Sequence, residues 1–462
     1  MSETEEVPLT KASPKGKSSG DDIKKGYLLA FVLVVGLGSF QFGYSIGSFT
    51  NLQDDFAAIF KWDDDEKAFK SSVITSICQL GSACGALGIG SFTKFGRKNC
   101  LLFVNLFVLI GSGIAIIENE VAIIIGRFIY GLATGSFSVL VPGFIGIMFA
   151  FLMAIPIPET PTQADMDQFL VSDYWRVLFA LPIAIGVIQC LLLLSVFNYD
   201  TPKYHKQHNQ HAKLNELMGK IYQPHKVQDR IDDILIESGK NQEISYKDTF
   251  CNPRYYFATF IGCTLSMLQQ LSGINAVMLY ASEIFKKVGW SPRLGSALTG
   301  VINMVSTFGA LFLLAKVGRK TLLWLGSFAM GCIHIGLGIA YFYVNDSEAA
   351  KACCVVFIFL FIILFEFSLG PIPWLFMAEI MTPKGLSIAI LINWIATLGI
   401  AIATPFLISG ELFIVFGVFC VICGLFSLIL LKETKGLNEA QILALYSKEQ
   451  QGVKYKEMHK NG

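Results

Sequence analysis

Long apolar runs, each about the length of a membrane-spanning helix, constrain the fold of this sequence more than any other feature. Twelve such runs lie between residues 27 and 431, and most of the stretches that join them are short. A helix needs about 20 apolar residues to cross the ~30 Å hydrocarbon layer of a bilayer. Strands of a membrane barrel would alternate polar and apolar residues, and these runs do not. The sequence therefore predicts an all-α polytopic membrane protein.

The composition agrees with a chain that is mostly embedded in lipid. Charged residues make up 15% of the sequence, against about 25% in soluble domains. No basic tract interleaved with aromatic residues is present, so we predict the lipid bilayer as a partner and no nucleic acid. The predicted spans are 27–49, 71–92, 99–117, 121–142, 143–158, 176–197, 255–280, 294–315, 320–343, 353–377, 385–409 and 411–431.

Motifs that carry chemistry are sparse. The Cys420-x-x-Cys423 pair lacks a second pair and a nearby His, so we expect packed thiols and not a metal or redox site. The sequence contains no Walker A motif and no constellation typical of a nucleophilic enzyme. We therefore expect no enzyme activity, no structural disulfide, no metal and no other cofactor.

One long polar segment divides the chain into two membrane halves. In this segment Leu214, Leu217 and Met218 recur at the spacing of short amphipathic helices. The predicted division is a cytoplasmic N-terminal tail (1–26), an N-terminal transmembrane bundle (27–197), a cytoplasmic linker (198–253), a C-terminal transmembrane bundle (254–431) and a cytoplasmic C-terminal tail (432–462).

The placement of charge predicts the orientation in the membrane. Lys and Arg, which mark the cytoplasmic side, collect in the linker, in the C-terminal tail and in two Gly-Arg-Lys loops. Residues 159–174 hold four acids and no base, as expected of the opposite side. The polar first 25 residues predict that no signal peptide is cleaved. We predict an integral protein of the plasma membrane with both termini in the cytoplasm.

The two halves repeat a short sequence at corresponding places. TKFGRKNCLLFVN (93–105) follows the second span, and AKVGRKTLLWLGS (315–327) follows the second span of the other half. Such an internal repeat is typical of a transporter built from two parallel repeats, with its site between them near the middle of the membrane.

Together with other motifs, these loops resemble the sugar porters of the major facilitator superfamily, the family of the facilitative glucose transporters. The resemblance covers about residues 27–440. It implies two six-helix bundles, alternating access and a hexose-sized substrate. The other motifs that carry it are QQLSGIN (269–275), GPIPWLFMAE (370–379), NW (393–394) and KETKG (432–436).

Three amide side chains, Gln269, Gln270 and Asn275, interrupt an otherwise apolar stretch. Such groups can simply bond neighbouring membrane helices, at about 0.6–2 kcal/mol each. Together, however, uncharged amides match the hydroxyls of a sugar, each of which both donates and accepts hydrogen bonds. In the family the matching positions bind the sugar, so we predict a substrate-binding site here.

Four further side chains complete the predicted substrate-binding set. Glu366 is an acid within an apolar helix, which indicates a functional group; a carboxylate bonded to an adjacent helix is the alternative. Trp374 can cover the apolar face of a sugar ring, and a Trp at the lipid or its interface is the alternative. Asn303 and Trp394 match site positions of the family, although each alone would indicate packing.

A second set of residues is predicted to gate the protein. The loop cations set topology, and the resemblance adds that they pair with acids at the cytoplasmic helix ends. This set of ion pairs is smaller than in the family, because Thr93 and Ala315 replace the usual loop acid. In addition, Lys432 replaces a proline. Arg127 lies deep enough to need a carboxylate or carbonyl partner, and we assign it to the same network. The other gating residues are Arg97, Lys98, Arg319, Lys320, Glu379 and Glu433.

The first span bears on the coupling of transport to protons. Proton-driven members of the family carry an Asp after Phe-Gly-Tyr, and Ser45 stands there in this chain. A hydroxyl cannot exchange a proton near neutral pH as a carboxylate can. Two other groups can titrate: Glu366, which keeps proton coupling open, and His334, which we expect to be packed. We predict facilitated diffusion.

The stretch 121–158 departs from the resemblance. Compared with the family it lacks about two to three dozen residues after Val-Pro, and it is long for one crossing and short for two. The charge pattern requires two crossings. We therefore predict a tight hairpin at Pro142 and Gly143 between a shortened fourth and a shortened fifth helix.

The resemblance thus implies a hexose transporter that works by facilitated diffusion with alternating access. Gln-Leu-Ser at 270–272 resembles members that prefer glucose. The alternatives are a proton-coupled sugar symporter, a non-transporting sugar sensor and an inactive truncated homologue. A sensor would be expected to have a long cytoplasmic tail, whereas about 30 residues follow the last predicted span.

Overall fold

The protein is built from helices. In the described chain the only other regular feature is an isolated antiparallel bridge between Ile23 and Tyr222, and the predicted all-α class is confirmed. The residues described, in a computed structural model, are 23–140, 145–158, 168–238, 244–437 and 439–446.

The helices before the linker begin with the first membrane span. A short 3-10 turn, Thr93–Phe95, lies in the first Gly-Arg-Lys loop. The helices are α1 (Lys25–Gly47), α2 (Gln53–Phe60), α3 (Asp64–Phe92), α4 (Arg97–Ala115), α5 (Glu120–Leu140), α6 (Ile145–Met153), α7 (Phe169–Ser172) and α8 (Tyr174–Ser195).

The linker and the second half continue the helical pattern. In the linker, a 3-10 turn, Pro224–Lys226, separates two of the helices. The linker helices are α9 (Pro202–Gln207), α10 (His211–Ile221), α11 (Val227–Ser238) and α12 (Tyr246–Cys251). The later helices are α13 (Tyr256–Leu271), α14 (Ile274–Leu279), α15 (Ala281–Lys287), α16 (Pro292–Lys316), α17 (Arg319–Phe342), α18 (Glu348–Phe367), α19 (Ile372–Ile380), α20 (Pro383–Leu407), α21 (Gly410–Leu430) and α22 (Glu439–Tyr446).

Ten helical stretches of the described chain are long and apolar enough to cross a membrane. They correspond to predicted spans, and the two predicted spans without such a stretch are 143–158 and 255–280. The stretches are Lys25–Gly47, Glu66–Gly90, Arg97–Ala115, Glu120–Leu140, Tyr174–Ser195, Pro292–Lys316, Arg319–Phe342, Glu348–Ile380, Pro383–Leu407 and Gly410–Leu430.

The predicted span 255–280 is interrupted by a glycine in the left-handed region. α13 ends at Leu271, Gly273 has a φ of 88°, and α14 begins at Ile274. A Cβ atom at position 273 would lie 2.5 Å from the ring of Phe416, so the site requires glycine for its space as well as for its φ. The break turns the chain just after the amide-bearing end of α13.

The fourth and fifth predicted spans differ in length. α5 has 21 residues, about 32 Å of helix, which is enough for the hydrocarbon layer. α6 has 9 residues, about 14 Å, which covers roughly half of that layer. The shortening predicted for this region therefore falls on the fifth helix. The predicted hairpin residues, Pro142 and Gly143, lie outside the described chain.

α6 packs beside one half of α1. Gly146 lies so close to α1 that a Cβ there would meet the carbonyl oxygen of Phe40 at 1.8 Å. Beyond the other end of α6, Ala154 packs in one cluster with Phe56 of α2. α6 therefore runs from the middle of α1 toward the end of the bundle that carries α2. We call this the α2 end, and the opposite end, with residues 96–98 and 318–320, the Gly-Arg-Lys end.

The chain divides into two compact units. The first comprises Met1–Leu33 and Tyr199–Asn241, and the second comprises Val34–Asn198 and Gln242–Gly462. In the first unit, α10 and α11 pack on a small core around Met218. The domain boundaries drawn from the sequence remain predictions.

The second unit contains both membrane halves. In the N-terminal half α5 packs on α3 and α4, and in the C-terminal half α17 packs on α18 and α21. Between the halves, α3 packs on α20 and α6 packs on α16. Of these helices, α6, α16, α18 and α20 line the candidate site.

Candidate functional site

A cavity of about 510 Å³ lies between the two halves of the second unit. All the residues predicted to bind substrate line it, so the structure brings them together from six different helices. The lining residues are Phe42, Ile46, Ile147, Gln269, Gln270, Ile274, Asn275, Met278, Asn303, Phe365, Glu366, Trp374, Asn393, Trp394 and Thr397.

The break between α13 and α14 positions the three predicted amides. Gln269 and Gln270 stand in the last turn of α13, and Asn275 stands in the first turn of α14. The side-chain Nδ2 of Asn275 donates to the side-chain oxygen Oε1 of Gln270, and at 3.3 Å to the hydroxyl of Thr397. The turn at Gly273 therefore folds the amide of α14 back onto that of α13.

A residue that sequence reasoning did not select, Asn393, links these amides to α20. Its Nδ2 donates to Oε1 of Gln269 at 2.8 Å and to the carbonyl oxygen of Ser266 at 3.1 Å. Its Oδ1 accepts from Nε2 of Gln270 at 2.8 Å. The signal was available, because Asn393 is an amide within an apolar helix and stands in the Asn-Trp motif.

The nitrogen and the oxygen of the Gln269 amide are both bonded to the protein. Its Nε2 donates to the carbonyl oxygen of Leu369 at 2.7 Å and to that of Gly370 at 3.3 Å, and its Oε1 accepts from Asn393. These carbonyls lie at the break between α18 and α19. Gln269 therefore ties the α18–α19 break to α13, whereas Gln270 lies within the chain of bonded amides and Asn275 stands at its other end.

Glu366 bonds to the neighbouring helix with both of its oxygens. Oε1 accepts from Nδ2 of Asn303 at 2.7 Å, and Oε2 accepts from the hydroxyl of Thr307 at 2.8 Å. Glu366 is 3% exposed, and no ion pair in the described chain includes it. These contacts fit the alternative stated for Glu366, a carboxylate bonded to an adjacent helix, although the same side chain also lines the cavity. Thr307 was not predicted.

The two tryptophans of the cavity differ in their bonding. The indole Nε1 of Trp374 is buried without a hydrogen-bond partner in the described chain. The indole Nε1 of Trp394 donates to the hydroxyl of Ser138 at 3.1 Å, and its ring meets that of Phe42 edge-on at 5.7 Å. Trp394 therefore joins the C-terminal half to the N-terminal half, whereas Trp374, which also lines the cavity, has a donor that no described residue uses.

Side chains at the α2 end join the two halves beyond the cavity. Arg293 of α16 pairs with Asp55 of α2 at 3.1 Å and also donates to the carbonyl oxygens of Asn51 and Pro158. Asp55 is 1% exposed and Arg293 is 6% exposed. Burial raises the pKa of Asp55 to about 7 even though Arg293 lowers it. Nothing in the sequence analysis indicated this pair.

A second, more exposed ion-pair group lies beside it. Lys67 of α3 pairs with Asp54 and, at 3.1 Å, with Glu283 of α15, and Lys286 also pairs with Asp54 at 3.1 Å. Burial acts to raise the pKa of Asp54, but the two lysines outweigh it and hold the pKa below its usual value. Together with the buried pair, this group fastens α2 and α3 to α15 and α16.

At the Gly-Arg-Lys end, the predicted gating residues of the second half meet. Nη2 of Arg319 pairs with Oε1 of Glu379 at 3.2 Å. The carboxylate of Glu433 accepts from the backbone N–H groups of Arg319 at 2.9 Å and Lys320 at 3.1 Å, at the first turn of α17. An acid at a helix N-terminus satisfies donors that the helix itself cannot. The hydroxyl of Thr434, which was not predicted, also bonds Glu379.

The corresponding residues of the first half make different contacts. Lys98 donates to the side-chain amide oxygen of Asn198 at 2.6 Å. In the second half, by contrast, the partners of the loop are carboxylates. Arg97 is exposed. Arg127 lies apart from both loops, buried between α4, α5 and α8, and donates to the hydroxyl of Ser48 at 3.2 Å. The structure therefore does not bring Arg127 to the other predicted gating residues.

Two halves of apolar helices around a cavity lined by amides and aromatic rings define the architecture of a secondary membrane transporter. Solved structures have this fold. The Escherichia coli xylose transporter XylE in its inward open conformation aligns with a TM-score of 0.71 at 21% identity, over 91% of this chain and 100% of that one. The major facilitator superfamily proton:xylose symporter XylE bound to 6-bromo-6-deoxy-D-glucose aligns with a TM-score of 0.76 at 22% identity, over 91% and 99%. The predicted major facilitator fold is confirmed.

Sequence comparison assigns the family. A model of the family described as "Sugar (and other) transporter" matches residues 31–148 and 143–446, so the chain belongs to the sugar transporter family and is an integral membrane protein. Among its relatives, hexose transporter 1 of Plasmodium falciparum is 27% identical over 91% of this chain and 93% of that protein. Facilitated glucose transporter member 3 of Ovis aries (solute carrier family 2) is 29% identical over 90% and 92%. The predicted family is confirmed.

Proposed function

We propose that this protein carries hexoses, with glucose the favoured sugar, across the membrane by facilitated diffusion. The observation that carries the proposal is the cavity between the halves, whose wall includes amides and indoles. Relatives named as hexose and glucose transporters, aligned over nine-tenths of the chain, support the same substrate class.

The chemistry of the cavity wall suits a neutral polyol. Gln270, Asn275 and Asn393 offer both donors and acceptors without charge, as the hydroxyls of a sugar require. The free indole N–H of Trp374 is a donor ready for one such hydroxyl. The apolar wall formed by Phe42 and Met278 suits the C–H face of a sugar ring. Glu366 is the one acid of the wall, and its two oxygens are already bonded.

Alternating access would use the breaks and the contacts between the halves. The α2 end is fastened by the Asp55–Arg293 pair, and the breaks at Gly273 and at Gly370 to Pro371 are points where helices can bend. Opening the α2 end to admit sugar requires these cross-half contacts to break, while the Gly-Arg-Lys end of the second half is held by Arg319 and Glu379.

Two observations favour uniport over proton symport. The hydroxyl of Ser45 donates to the carbonyl oxygen of Phe42 at 2.7 Å, so this position carries a capped hydroxyl and no carboxylate. Glu366 is bonded within its own half and has no cationic partner in the described chain, so its contacts do not change when the halves rock. Proton symport remains the alternative, and uptake measured with and without a pH gradient distinguishes it from uniport.

A second candidate is a sugar-binding protein that does not transport. The nine-residue α6 favours it, because a helix of this length lines the N-terminal half over only part of the membrane. Such a protein would keep the cavity and its affinity for sugar but would not complete the cycle of opening at both ends.

Uptake of labelled glucose by proteoliposomes that contain the full chain tests these proposals, with and without a pH gradient. Equilibration without a gradient supports uniport, and accumulation that requires one establishes symport. Binding of glucose to the purified protein without uptake establishes the non-transporting candidate. Absence of both binding and uptake overturns the assignment of hexose as substrate.

We further propose that the protein resides in the plasma membrane with both termini in the cytoplasm, that it binds the bilayer and no nucleic acid, and that it is not an enzyme. The basic Gly-Arg-Lys loops and linker support this orientation. An epitope placed after Gly462 should be detected in intact cells only after permeabilisation; detection on unpermeabilised cells would reverse the orientation.

A further inference from the structure

Arg127 is a buried cation whose charge the described chain does not neutralise. It lies on α5 and is 2% exposed. Nη1 donates to the hydroxyl of Ser48 at 3.2 Å, whereas Nε and Nη2 have no hydrogen-bond partner in the described chain. None of the ion pairs formed by the described residues includes it. Burying a charge without hydrogen bonds or a counter-charge is strongly unfavourable.

The guanidinium borders a small cavity inside the N-terminal half. The cavity has room for about one water-sized particle and shares no lining residue with the cavity between the halves. Its polar lining consists of Arg127 and four hydroxyls, and none of its lining residues is acidic. The hydroxyl residues are Tyr44, Ser48, Ser112 and Tyr130.

The aromatic neighbours of Arg127 offset only part of its charge. The guanidinium carbon lies 5.5 Å from the ring centre of Phe49 and 5.9 Å from that of Phe179. The face of an aromatic ring attracts a cation. It does not, however, provide hydrogen-bond acceptors for the N–H groups, which lie in the plane of the guanidinium.

The neighbouring hydroxyls do not supply those acceptors to Nε and Nη2. The hydroxyl of Tyr44 donates to the carbonyl oxygen of Leu178 at 2.8 Å, and that of Tyr130 donates to the carbonyl oxygen of Gln41 at 3.1 Å. The N–H groups of Nε and Nη2 therefore lack acceptors, and the described residues that line the adjacent cavity bring no negative charge.

We propose that this cavity is a binding site for one small monovalent inorganic anion of the halide class, chloride being the abundant member. One guanidinium supplies one positive charge, which favours a monovalent ion over phosphate or sulfate. The burial of the site excludes bulky organic anions. The bound ion accepts from Nε and Nη2 and neutralises Arg127 at the meeting point of α1, α4, α5 and α8.

The site acts on the N-terminal half and not on sugar binding directly, because the two cavities have separate walls. An ion that binds the folded protein and not the unfolded chain raises stability with its concentration. The proposal therefore predicts a specific chloride dependence of stability, independent of whether hexose is the substrate.

Thermal unfolding of the purified full chain tests the site. At constant ionic strength, replacement of gluconate by chloride or bromide should raise the Tm along a saturating curve. Arg127→Gln should remove this rise. The matched control, Arg176→Gln, should retain it, because Arg176 is half-exposed and already paired with Glu118 and Asp173.

A second variant keeps the test decisive if Arg127→Gln does not fold. Ser48→Asp supplies a carboxylate at the position that Nη1 already contacts, and it should fold with a Tm that no longer depends on chloride. In bromide-soaked crystals, anomalous scattering should place an ion beside Arg127. Equal Tm values in chloride and gluconate for the unaltered protein, or water alone in the cavity, would overturn the proposal.

Discussion

At the scale of single residues, the amides of the cavity are bonded to one another in a chain. Asn275 donates to Gln270, Gln270 donates to Asn393, and Asn393 donates to Gln269. Gln269 then reaches the backbone at Leu369. The members therefore differ in role: Gln269 is held by the protein at both ends, whereas Asn275 stands at the free end of the chain, beside the cavity.

This difference predicts opposite effects of two alanine variants. Asn275→Ala should weaken glucose binding about five- to tenfold, the effect of one lost hydrogen bond, with little change in stability. Gln269→Ala should instead destabilise the fold by about 1–3 kcal/mol, because Asn393 and Leu369 lose a buried partner. Titration calorimetry and thermal unfolding measure the two effects. Asn99→Ala, at the exposed start of α4, is the control, and unchanged affinity in Asn275→Ala would contradict the role given to it.

The two tryptophans provide a second comparison. Trp374→Phe removes a buried N–H that has no partner, so it should weaken glucose binding while leaving the stability of the sugar-free protein unchanged or slightly higher. Trp394→Phe loses the bond to Ser138 and should lower stability by about 1 kcal/mol. Affinity and Tm measured on both variants separate these outcomes. A Trp374→Phe protein with unaltered affinity would show that its indole does not meet the sugar.

Much of the site could be predicted from the sequence, because an amide or an acid in an apolar run is conspicuous by itself. Gln269, Gln270, Asn275 and Glu366 all line the cavity. Their hydrogen-bond partners were less visible, since Thr307 is an ordinary hydroxyl whose role follows only from facing Glu366. A residue type can be read locally, whereas a partner on another helix depends on the packing.

At the scale of helices, the sequence pattern predicts the length of a membrane span better than it predicts whether the helix is continuous. Ten predicted spans correspond to long helices, because twenty apolar residues in lipid have few alternatives to a helix. The break in 255–280 was not predicted, because Gly273 in an apolar run is compatible with an unbroken helix. Its φ of 88° follows from the packing of α13 and α14 against Phe416.

Two Gly→Ala variants isolate this break. Gly273→Ala should destabilise the protein by more than 1 kcal/mol, because the residue has a positive φ and the added Cβ meets Phe416 at 2.5 Å. Gly399→Ala, in the middle of α20, has nothing within 4 Å of the added atom and should be neutral or stabilising by up to about 1 kcal/mol. Thermal unfolding compares them. Equal Tm changes would show that the break is not required by the fold.

At the scale of the whole molecule, the halves are joined by pairs that are far apart in sequence. Asp55 and Arg293 are separated by 238 positions along the chain. The repeated loops carry a visible motif, so the sequence predicts gating there. The single charges of the α2 end carry no motif, so their pairing could not be predicted. The sequence also does not show which helices pack around a given residue. For this reason it groups Arg127 with the loops, although the residue lies inside the N-terminal half.

The buried pair predicts a pH dependence with a definite sign. The pKa of Asp55 is raised to about 7 when the α2 end is closed, against an ordinary value of 3.8 when water reaches it. The closed form therefore binds the proton more tightly, and this stabilisation is complete below pH 4 and lost as the pH rises through about 7. Relative to Asp55→Asn, the Tm of the unaltered protein should fall between pH 4 and 7.

Asp54→Asn is the matched control for that measurement. The pKa of Asp54 is held below its usual value by Lys67 and Lys286, so its stabilisation is lost only as the pH falls below 3.8. Its variant should keep the downward trend of the unaltered protein between pH 4 and 7. A parallel trend in Asp55→Asn would show that other groups cause the dependence.

The chain of mutually bonded amides has a consequence for how firmly cargo can be held. A hydroxyl that binds to Gln270, Asn275 or Asn393 competes with the bonds that these amides already make to one another. Exchange of one bond for another yields little net free energy, which favours modest affinity and fast release. For a carrier that must let go at the far side in every cycle, such weak retention is what permits rapid turnover.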